Sequence, residues 1–222
     1  MKIKEYGEVF SYLYELGSII TGHYFHPGKF FEQANLDITP ETKIAEIGCG
    51  TARWALAAAK HCQKKGIATV VEGADISPHM LKIAERKAKR KKVPLELYQA
   101  DGRDLTKARA FYNGSINCRK KRFEDESIDL LISSGMLECV TENVEPAMEE
   151  LTRILKPGGK IILPLVNMNS AGNLASKVLR FRLVPKEYAF AKLPEITFES
   201  VPVQSLTRYM EAIQTIYVGT KN

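Results

Sequence analysis

Short apolar runs recur through the middle of the chain, and most of them end in small or acidic residues. Five of these runs predict β-strands: Ile44–Ile47, Ile67–Gly73, Leu95–Gln99, Ser127–Ile132 and Lys160–Val166. A helical pattern or a crossover is expected after each strand, so the strands should form a mostly parallel, doubly wound α/β sheet. Two further runs, Ile196–Val203 and Ala212–Thr220, predict an antiparallel hairpin at the sheet edge.

Amphipathic segments predict two small helical caps on a single domain that spans residues 1–222. Helical spacing predicts one helix over Glu5–Ile20 and a shorter one over Lys29–Ala34, so residues 1–36 form an N-terminal cap. Residues 167–195 form a second cap, with a helical pattern at Ala171–Arg182. Such an N-terminal helix most often packs on its own domain. The alternatives are a lid over a ligand and a helix that lies on a membrane.

The segment Glu46-Ile47-Gly48-Cys49-Gly50 joins the first predicted strand to a helix. Because Gly48 and Gly50 lack a Cβ, the backbone can bend sharply here and approach a ligand closely. The N–H groups that open the following helix can face a carboxylate or a phosphate. Alone, this pattern is typical of many nucleotide-binding folds.

Acidic residues follow the second and third predicted strands. Asp75 stands about 20 residues past the glycine turn, where an acid can accept hydrogen bonds from ribose hydroxyls. Asp101 holds the equivalent place after the third strand. Because ligands of doubly wound sheets bind outside the carboxyl ends of the strands, these acids predict a binding site there. The alternatives are purely structural: Asp75 could help to start a helix with Ser77, and Asp101 could cap a turn before Leu105.

Five motifs in order resemble those of class I S-adenosylmethionine-dependent methyltransferases of type 11: EIGCGTA, ADISPHML, ADGRDL, FEDESIDLLISSGMLECV and RILKPGG. The resemblance covers roughly Ile44 to Val166 and returns at Ile213–Lys221, which looks like the family's last, antiparallel strand. It implies a Rossmann-like fold, S-adenosylmethionine as cofactor and S-adenosylhomocysteine as product. One departure is Ala52, where a third glycine is more usual. Because alanine is small, little disturbance is expected.

The resemblance also implies which residues bind the cofactor. It places Glu46, Gly48, Cys49 and Gly50 at the methionine end, Asp75 at the ribose, Ile76, Asp101 and Gly102 at the adenine, and Ser133 near the sulfonium.

Composition and cysteine spacing predict the size of the core and the compartment of the protein. With 222 residues, 45% of them hydrophobic, the chain can build a substantial core, and no run approaches the length of a membrane span. The four cysteines have no metal-ligand spacing, and the N-terminus does not resemble a signal peptide, so reduced thiols and a cytoplasmic location are the default expectation. No metal is expected.

Two basic runs contribute much of the net charge of +6. Lys82–Lys92 carries seven basic residues and one acid, and a solvated helix face is the favoured interpretation. Leu105–Arg122 carries six basic residues and no acid, and it lengthens a connection that is usually short. A disordered loop is favoured there. A patch for nucleic acid or an anionic lipid surface is the alternative.

The methyl acceptor is less clearly indicated than the cofactor. The segment Gly22–Lys29 resembles one in phospholipid N-methyltransferases, which favours a small-molecule or amphiphilic acceptor, preferably an amine, and peripheral contact with an anionic membrane. Candidate catalytic groups near the cleft are Tyr24, His26 and Asn167, with His23 beside them. Nucleic acid is an unlikely acceptor because Ser133-Ser134-Gly135-Met136 replaces the Asn-Pro-Pro-Tyr type of motif.

Two other functions fit parts of the sequence. A protein that binds the cofactor but transfers nothing would need the same motifs. A nicotinamide-dependent oxidoreductase could use Tyr188 and Lys192, which have the Tyr-x-x-x-Lys spacing of short-chain dehydrogenases. That pair lies between Pro185 and Pro194 rather than in a long helix, and Arg53 occupies the third-glycine position of a dinucleotide fingerprint.

Overall fold

The structure, a computed structural model, describes residues 26–34, 36–140, 143–179, 182–202 and 213–222. The strands in this part of the chain are β1 (Ile44–Ile47), β2 (Val71–Asp75), β3 (Leu95–Asp101), β4 (Asp104–Tyr112), β5 (Ser115–Lys121), β6 (Ile128–Ile132), β7 (Leu155–Val166), β8 (Ile196–Val201) and β9 (Gln214–Lys221). The helices are α1 (His26–Gln33), α2 (Arg53–Lys64), α3 (Pro78–Lys91), α4 (Met136–Cys139), α5 (Glu145–Ile154), α6 (Ser170–Leu179) and α7 (Lys186–Ala191).

The strands form one sheet in the order β5-β4-β3-β2-β1-β6-β7-β9-β8. The five strands from β3 to β7 in this order are parallel, and antiparallel strands flank them on both sides. At one edge, β9 runs antiparallel to β7 and β8 runs antiparallel to β9. The predicted doubly wound α/β sheet and its antiparallel last strand are confirmed.

The basic segment Leu105–Arg122, which the sequence favoured as a disordered loop, instead forms most of a β-hairpin. β4 turns back along β3, and β5 then pairs with β4. Asn113 and Gly114 connect them with φ of 51° and 74°, the left-handed values that two-residue hairpin turns require. The loop prediction was therefore wrong, as was the expectation that a helix or crossover follows every strand. The Asn-Gly pair was the sequence signal for this hairpin.

The starts of two strands lie several residues from their predicted positions. β2 begins at Val71 rather than Ile67, because Gly66 adopts a left-handed φ of 70° and the chain turns there before it enters the sheet. The turn Lys156–Gly159 lies inside β7 as a bulge: β6 pairs with Leu155 and then with Lys160, and the residues between them are left over. Gly158, with φ of 73°, permits this detour.

The sheet carries a hydrophobic core on each face. On one face, α1, α2 and α3 pack over the sheet through a cluster that includes Phe30, Phe31, Trp54 and Leu81. The aromatic rings of Phe30 and Trp54 lie 5.4 Å apart, which joins α1 to the start of α2. On the other face, α4, α5 and α7 bury side chains such as Leu151 against the sheet. The helix positions match those that the sequence predicted at Lys29–Ala34, after Ser77, and near residues 145–155.

The cap after β7 contains α6 and α7, at the place where the sequence predicted a helical insertion. The predicted helix Glu5–Ile20 and most of the N-terminal cap lie outside the described residues. Within the described ranges, no helix has both the length and the apolar character needed to cross a bilayer.

Candidate functional site

A pocket opens at the carboxyl ends of β1, β2, β3 and β6. Its wall brings together segments that are far apart in the sequence: the glycine turn after β1, the ends of β2 and β3, and the start of α4. The lining residues are Glu46, Gly48, Cys49, Gly50, Thr51, Arg53, Trp54, Asp75, Ile76, Ser77, Met80, Ala100, Asp101, Gly102, Arg103, Ser134, Gly135, Met136, Cys139 and Val140.

The glycine turn is held against β2 by backbone hydrogen bonds. The N–H groups of Gly48 and Cys49 both donate to the carbonyl oxygen of Ala74, at 2.8 and 2.9 Å. Gly48 has φ of 72°, and a Cβ at this position would lie 2.4 Å from the Cβ of Met136. The turn therefore needs glycine twice over, for its backbone conformation and for the close approach of α4.

Glu46 lies near the end of β1 and caps the helix that follows. Its carboxylate accepts a hydrogen bond from the N–H of Ala55 at 2.8 Å, in the first turn of α2. Ala52, the residue before the helix, has no side-chain oxygen, so Glu46 takes over a task that a serine or aspartate usually performs. Glu46 is 2% exposed, and this burial raises its pKa to about 8 against the opposing effects of the Ala55 N–H and Arg53.

Asp75 links the turn to the start of α3. One carboxylate oxygen accepts from the N–H of Gly50 at 2.7 Å, and the other accepts from the N–H of Ser77 at 2.8 Å. Burial raises the pKa of Asp75, although these backbone N–H groups oppose it. Ser77 in turn caps α3 through the N–H of Met80. Asp75 therefore has the helix-starting role that the sequence left open, and it also lines the pocket.

Behind the turn lies a buried cation. Lys87 projects from α3, is 6% exposed, and donates a hydrogen bond to the hydroxyl of Thr51 at 3.1 Å. This contact fixes the loop between β1 and α2 to a third element, so the position of the glycine turn depends on β2 and α3 as well as on its own sequence.

Asp101 and Gly102 form the corner between β3 and β4. The guanidinium of Arg103 forms a salt bridge with the Asp101 carboxylate and donates hydrogen bonds to it, the closest at 2.7 Å. Burial raises the pKa of Asp101, but the hydrogen bonds and charge of Arg103 outweigh it and hold that pKa below its usual value. A Cβ on Gly102 would lie 2.4 Å from the sulfur of Met136. Met136 therefore touches both glycine-containing segments of the pocket.

Ala52 has a backbone conformation that is unfavourable for alanine, although the sequence indicated that alanine would disturb the turn little. Its φ of 57° and ψ of 42° are left-handed, and the residue is fully buried. A glycine would adopt this conformation without a steric penalty, whereas alanine cannot. The prediction that alanine would disturb little missed this backbone strain.

The candidate residues outside this pocket fall into two groups. Ser133 and Asn167 are described but do not line the pocket: Ser133 is buried, and its hydroxyl has no hydrogen-bond partner in the described part of the chain. Asn167 accepts a hydrogen bond from the Thr215 hydroxyl at 2.8 Å, which ties it to β9. Tyr24 lies outside the described residues, and so does the side chain of His26, whose backbone begins α1.

Sequence reasoning missed several pocket residues. Met136 and Arg103 are the clearest cases, because each contacts a motif glycine or acid directly. The signal for Met136 was present: it follows Ser134-Gly135 at the end of a buried strand, where a side chain must cover the neighbouring glycine turn. Among the described residues, no group of three or more His, Cys, Asp or Glu is arranged to hold a metal ion.

The polar and apolar groups that line the pocket suit an adenosine cofactor that carries an amino-acid end. Buried carboxylates can accept hydroxyl and ammonium hydrogens, and Ile76, Met80 and Ala100 offer an apolar slot of the kind that an adenine ring fills. With the sheet order described above, this site defines a class I methyltransferase architecture. The chain matches the methyltransferase domain family over residues 45–163, more than half of its length, and it belongs to this family of S-adenosylmethionine-dependent enzymes.

Comparisons with individual proteins agree with this family. The demethylmenaquinone methyltransferase of Bacillus cereus (strain ATCC 10987 / NRS 248) is 30% identical over 127 residues, which are 57% of this chain and 46% of that protein. The Bacillus cytotoxicus protein of the same name is 31% identical over the same shares. The matched region of this chain therefore spans less than half the length of these relatives.

Solved structures show the same fold. A Thermotoga maritima S-adenosylmethionine-dependent methyltransferase, named as a possible histamine N-methyltransferase, superposes with a TM-score of 0.63 at 20% identity, and the superposition covers 97% of this chain and 98% of that protein. Geranyl diphosphate C-methyltransferase of Streptomyces coelicolor, solved with S-adenosyl-L-homocysteine, gives a TM-score of 0.58 at 11% identity, with 87% and 76% covered. The likeness to phospholipid N-methyltransferases gained no support from these proteins.

Proposed function

We propose that this protein transfers the methyl group of S-adenosylmethionine to a small amphiphilic acceptor and releases S-adenosylhomocysteine. The observation that carries the proposal is the pocket in which Glu46, Asp75 and the glycine turn meet at the carboxyl ends of the parallel strands, in a chain of the methyltransferase family. The cofactor supplies a methyl group already activated on a sulfonium. The protein must therefore bind it, orient it and admit the acceptor.

Each part of the pocket has a proposed task in binding. Asp75 accepts hydrogen bonds from the ribose hydroxyls, since its two oxygens keep free lone pairs beside the Gly50 and Ser77 N–H groups. Glu46 faces the amino-acid end, where an ammonium would favour its charged form. Ile76, Asp101 and Gly102 form the adenine site, with Gly48, Cys49 and Gly50 under the methionine portion and Ser133 behind the reacting centre.

The acceptor is proposed to enter from the side of the cap that follows β7. Met168 and Leu174 are 63% and 56% exposed in this segment, an apolar display that suits an amphiphilic molecule or a membrane surface. The relatives named for demethylmenaquinone support a small-molecule acceptor of this kind. An amine remains our preferred acceptor group, with Tyr24, His26 and Asn167 as candidates for handling its proton.

The experiment is a methyl-transfer assay with radiolabelled S-adenosylmethionine and two probe acceptors, demethylmenaquinone and dodecylamine, each dispersed in detergent. Label recovered in either organic product supports the proposal, and the Asp75→Ala variant should reduce the signal. Cofactor binding without transfer to either probe would favour the non-catalytic binding protein. A chain that binds reduced nicotinamide cofactor instead would favour the oxidoreductase.

A further inference from the structure

The two basic runs of the sequence are neighbours in the folded protein, because α3 contacts the β4–β5 hairpin at one edge of the sheet. We call the α3 side of this edge the basic surface. It holds the exposed lysines and arginines of α3 and two cations of the hairpin: Lys82, Arg86, Lys89, Arg90, Lys91, Arg109 and Lys120. The two runs together hold thirteen basic residues and one acid, whereas the net charge of the whole chain is +6. The rest of the molecule is therefore net acidic, and the positive charge is concentrated here.

A single acid fixes the hairpin to the helix. The carboxylate of Glu85, on α3, accepts hydrogen bonds from the N–H groups of Asn113 and Gly114 at 2.8 and 2.9 Å. The ammonium of Lys89 lies 3.0 Å from the same carboxylate. Glu85 is the one acid in the run Lys82–Lys92, and its oxygens face the hairpin turn. Glu85 therefore holds the two basic elements side by side.

Two cations of the hairpin face solvent on this surface. Arg109 and Lys120 are exposed, and neither forms a salt bridge with a carboxylate among the described residues. In the register of the hairpin, Arg109 stands opposite Lys120. Like charges on opposite positions of neighbouring strands destabilise a hairpin unless an anion lies between or above them.

The tip of the hairpin adds apolar side chains to this charge. Tyr112 is 61% exposed and Ile116 is 41% exposed, on either side of the Asn113-Gly114 turn. The ammonium of Lys89 lies 5.9 Å from the centre of the Tyr112 ring. Interfacial segments that bind lipid combine lysine and arginine with exposed aromatic and aliphatic side chains in this way. A nucleic acid would use the cations and the tyrosine ring, but it has no use for an exposed isoleucine.

We propose that the basic surface docks the protein on anionic phospholipid. Lysine and arginine would contact the headgroups while Tyr112 and Ile116 enter the interfacial layer. The strand β4, which carries Arg109, begins directly after Arg103, a residue of the pocket wall, so docking would hold one side of the pocket near the lipid. This inference rests on the proposed function in one respect: docking would bring an amphiphilic acceptor near the pocket. The docking itself requires neither cofactor nor acceptor.

The test is co-sedimentation of the full chain, without cofactor, with vesicles of phosphatidylcholine alone and with vesicles in which phosphatidylglycerol replaces part of it. We expect binding to the anionic vesicles only, weakened by salt. The double variant Arg109→Glu/Lys120→Glu should bind at least about 25-fold more weakly, since each cation near an anionic surface contributes a factor of roughly five and each new glutamate adds repulsion. Tyr112→Ser/Ile116→Ser should weaken binding but leave its salt dependence.

The matched control is Lys60→Glu/Lys186→Glu, which changes the net charge equally at exposed positions on α2 and α7, outside the basic surface. It should bind nearly as well as the unaltered protein. If the charge variant of the basic surface and the Lys60→Glu/Lys186→Glu control lost vesicle binding equally, the assignment would be overturned, because net charge alone would then explain the binding. Tight binding of single-stranded RNA without binding to anionic vesicles would also overturn it, in favour of a nucleic acid. A failed methyl-transfer assay leaves this result unaffected, so the two proposals fail separately.

Discussion

Glu46 holds the N-terminus of α2 through the Ala55 N–H and also lines the pocket, so one side chain stabilises the fold and is placed to meet a ligand. Its pKa of about 8 means that the carboxyl is neutral near pH 7 in the free protein. A cationic ligand group beside it would favour the carboxylate, so binding should release a proton.

We therefore predict that affinity for S-adenosylmethionine rises with pH up to about 8, the pKa of Glu46 in the free protein. Arg53, Asp75 and Lys87, the charged groups that act on Glu46, are common to the free protein and the complex. Titration calorimetry in buffers of different ionisation enthalpy measures the released proton. In Glu46→Gln the release and the pH dependence should both disappear. Persistence of the proton release in this variant would assign it to another group.

Asp75 gives the second prediction at this scale. Removing its carboxylate would take away the proposed charge-assisted hydrogen bonds to the ribose, each worth roughly 1.5–3 kcal/mol, so Asp75→Ala should bind S-adenosylhomocysteine about tenfold more weakly or worse. Because Asp75 also holds Gly50 and Ser77, Asp75→Asn is the control: it keeps an acceptor oxygen and the side-chain volume. Calorimetry on both folded variants checks this, and unchanged affinity in Asp75→Ala would leave Asp75 with its helix-starting role alone.

Ala52 gives the third prediction at the scale of single residues. Its left-handed backbone is strained for alanine, so Ala52→Gly should raise the free energy of unfolding by about 0.5–1 kcal/mol after the greater flexibility of unfolded glycine is counted. The matched control is Ala58→Gly, in the interior of α2, where glycine should lower stability by about 1 kcal/mol. Urea unfolding measures both, and the same sign in the two variants would contradict the strain argument.

Among the elements, the β4–β5 hairpin has its turn held by one acidic side chain from outside the hairpin, that of Glu85. Glu85→Ala removes the acceptor for two backbone N–H groups at the hairpin turn, with a loss of about 2 kcal/mol. Amide hydrogen exchange should accelerate over Ser115–Lys121 and stay unchanged in β1. Glu85→Gln, which keeps one acceptor oxygen, should have an intermediate effect. Uniform acceleration through the sheet would instead show that the hairpin and the central strands unfold together.

The hairpin also shows where sequence reasoning stops. The buried parallel strands could be predicted because their apolar runs are distinct and end in motif residues. β4 and β5 carry mostly charged and small residues, and β5 is exposed along almost its whole length, so hydrophobic periodicity gave no signal. The glycine turn and Asp75 were placed correctly at strand ends. Their contacts with Ala74, Ser77 and Met136 depend on how distant segments meet, which spacing along the chain does not specify.

Across the whole molecule, two buried glutamic acids with raised pKa values contribute to how stability varies with pH. Burial raises the pKa of Glu138 to about 7 and that of Glu46 to about 8, from 4.5 in both cases. Each group is neutral in the folded state at a pH where the unfolded chain has already lost its proton. Their contribution is therefore fully present below about pH 4.5 and is lost as pH rises through 7 and 8.

We predict that the free energy of unfolding falls between about pH 5 and 8, the window that these two pKa values define, and that Glu138→Gln flattens the lower part of this fall. The amide matches the neutral carboxyl in size and cannot ionise. Glu187→Gln, at an exposed position on α7, is the control and should leave the slope unchanged. Urea unfolding at several pH values measures the slopes. A slope in Glu138→Gln equal to that of the unaltered protein would remove Glu138 as a cause.

The four thiols differ sharply in accessibility, and this gives a practical handle on the molecule. Cys49 and Cys62 are buried, Cys139 is partly covered in the pocket wall, and Cys118 is exposed on β5. A maleimide dye should therefore attach first at Cys118, at the edge of the sheet and among the lysines and arginines of the hairpin. A fluorophore placed there would report a change of surroundings without any engineered cysteine. The same exposure makes Cys118 the residue through which two copies would cross-link on oxidation, so preparations of the protein call for a reducing agent.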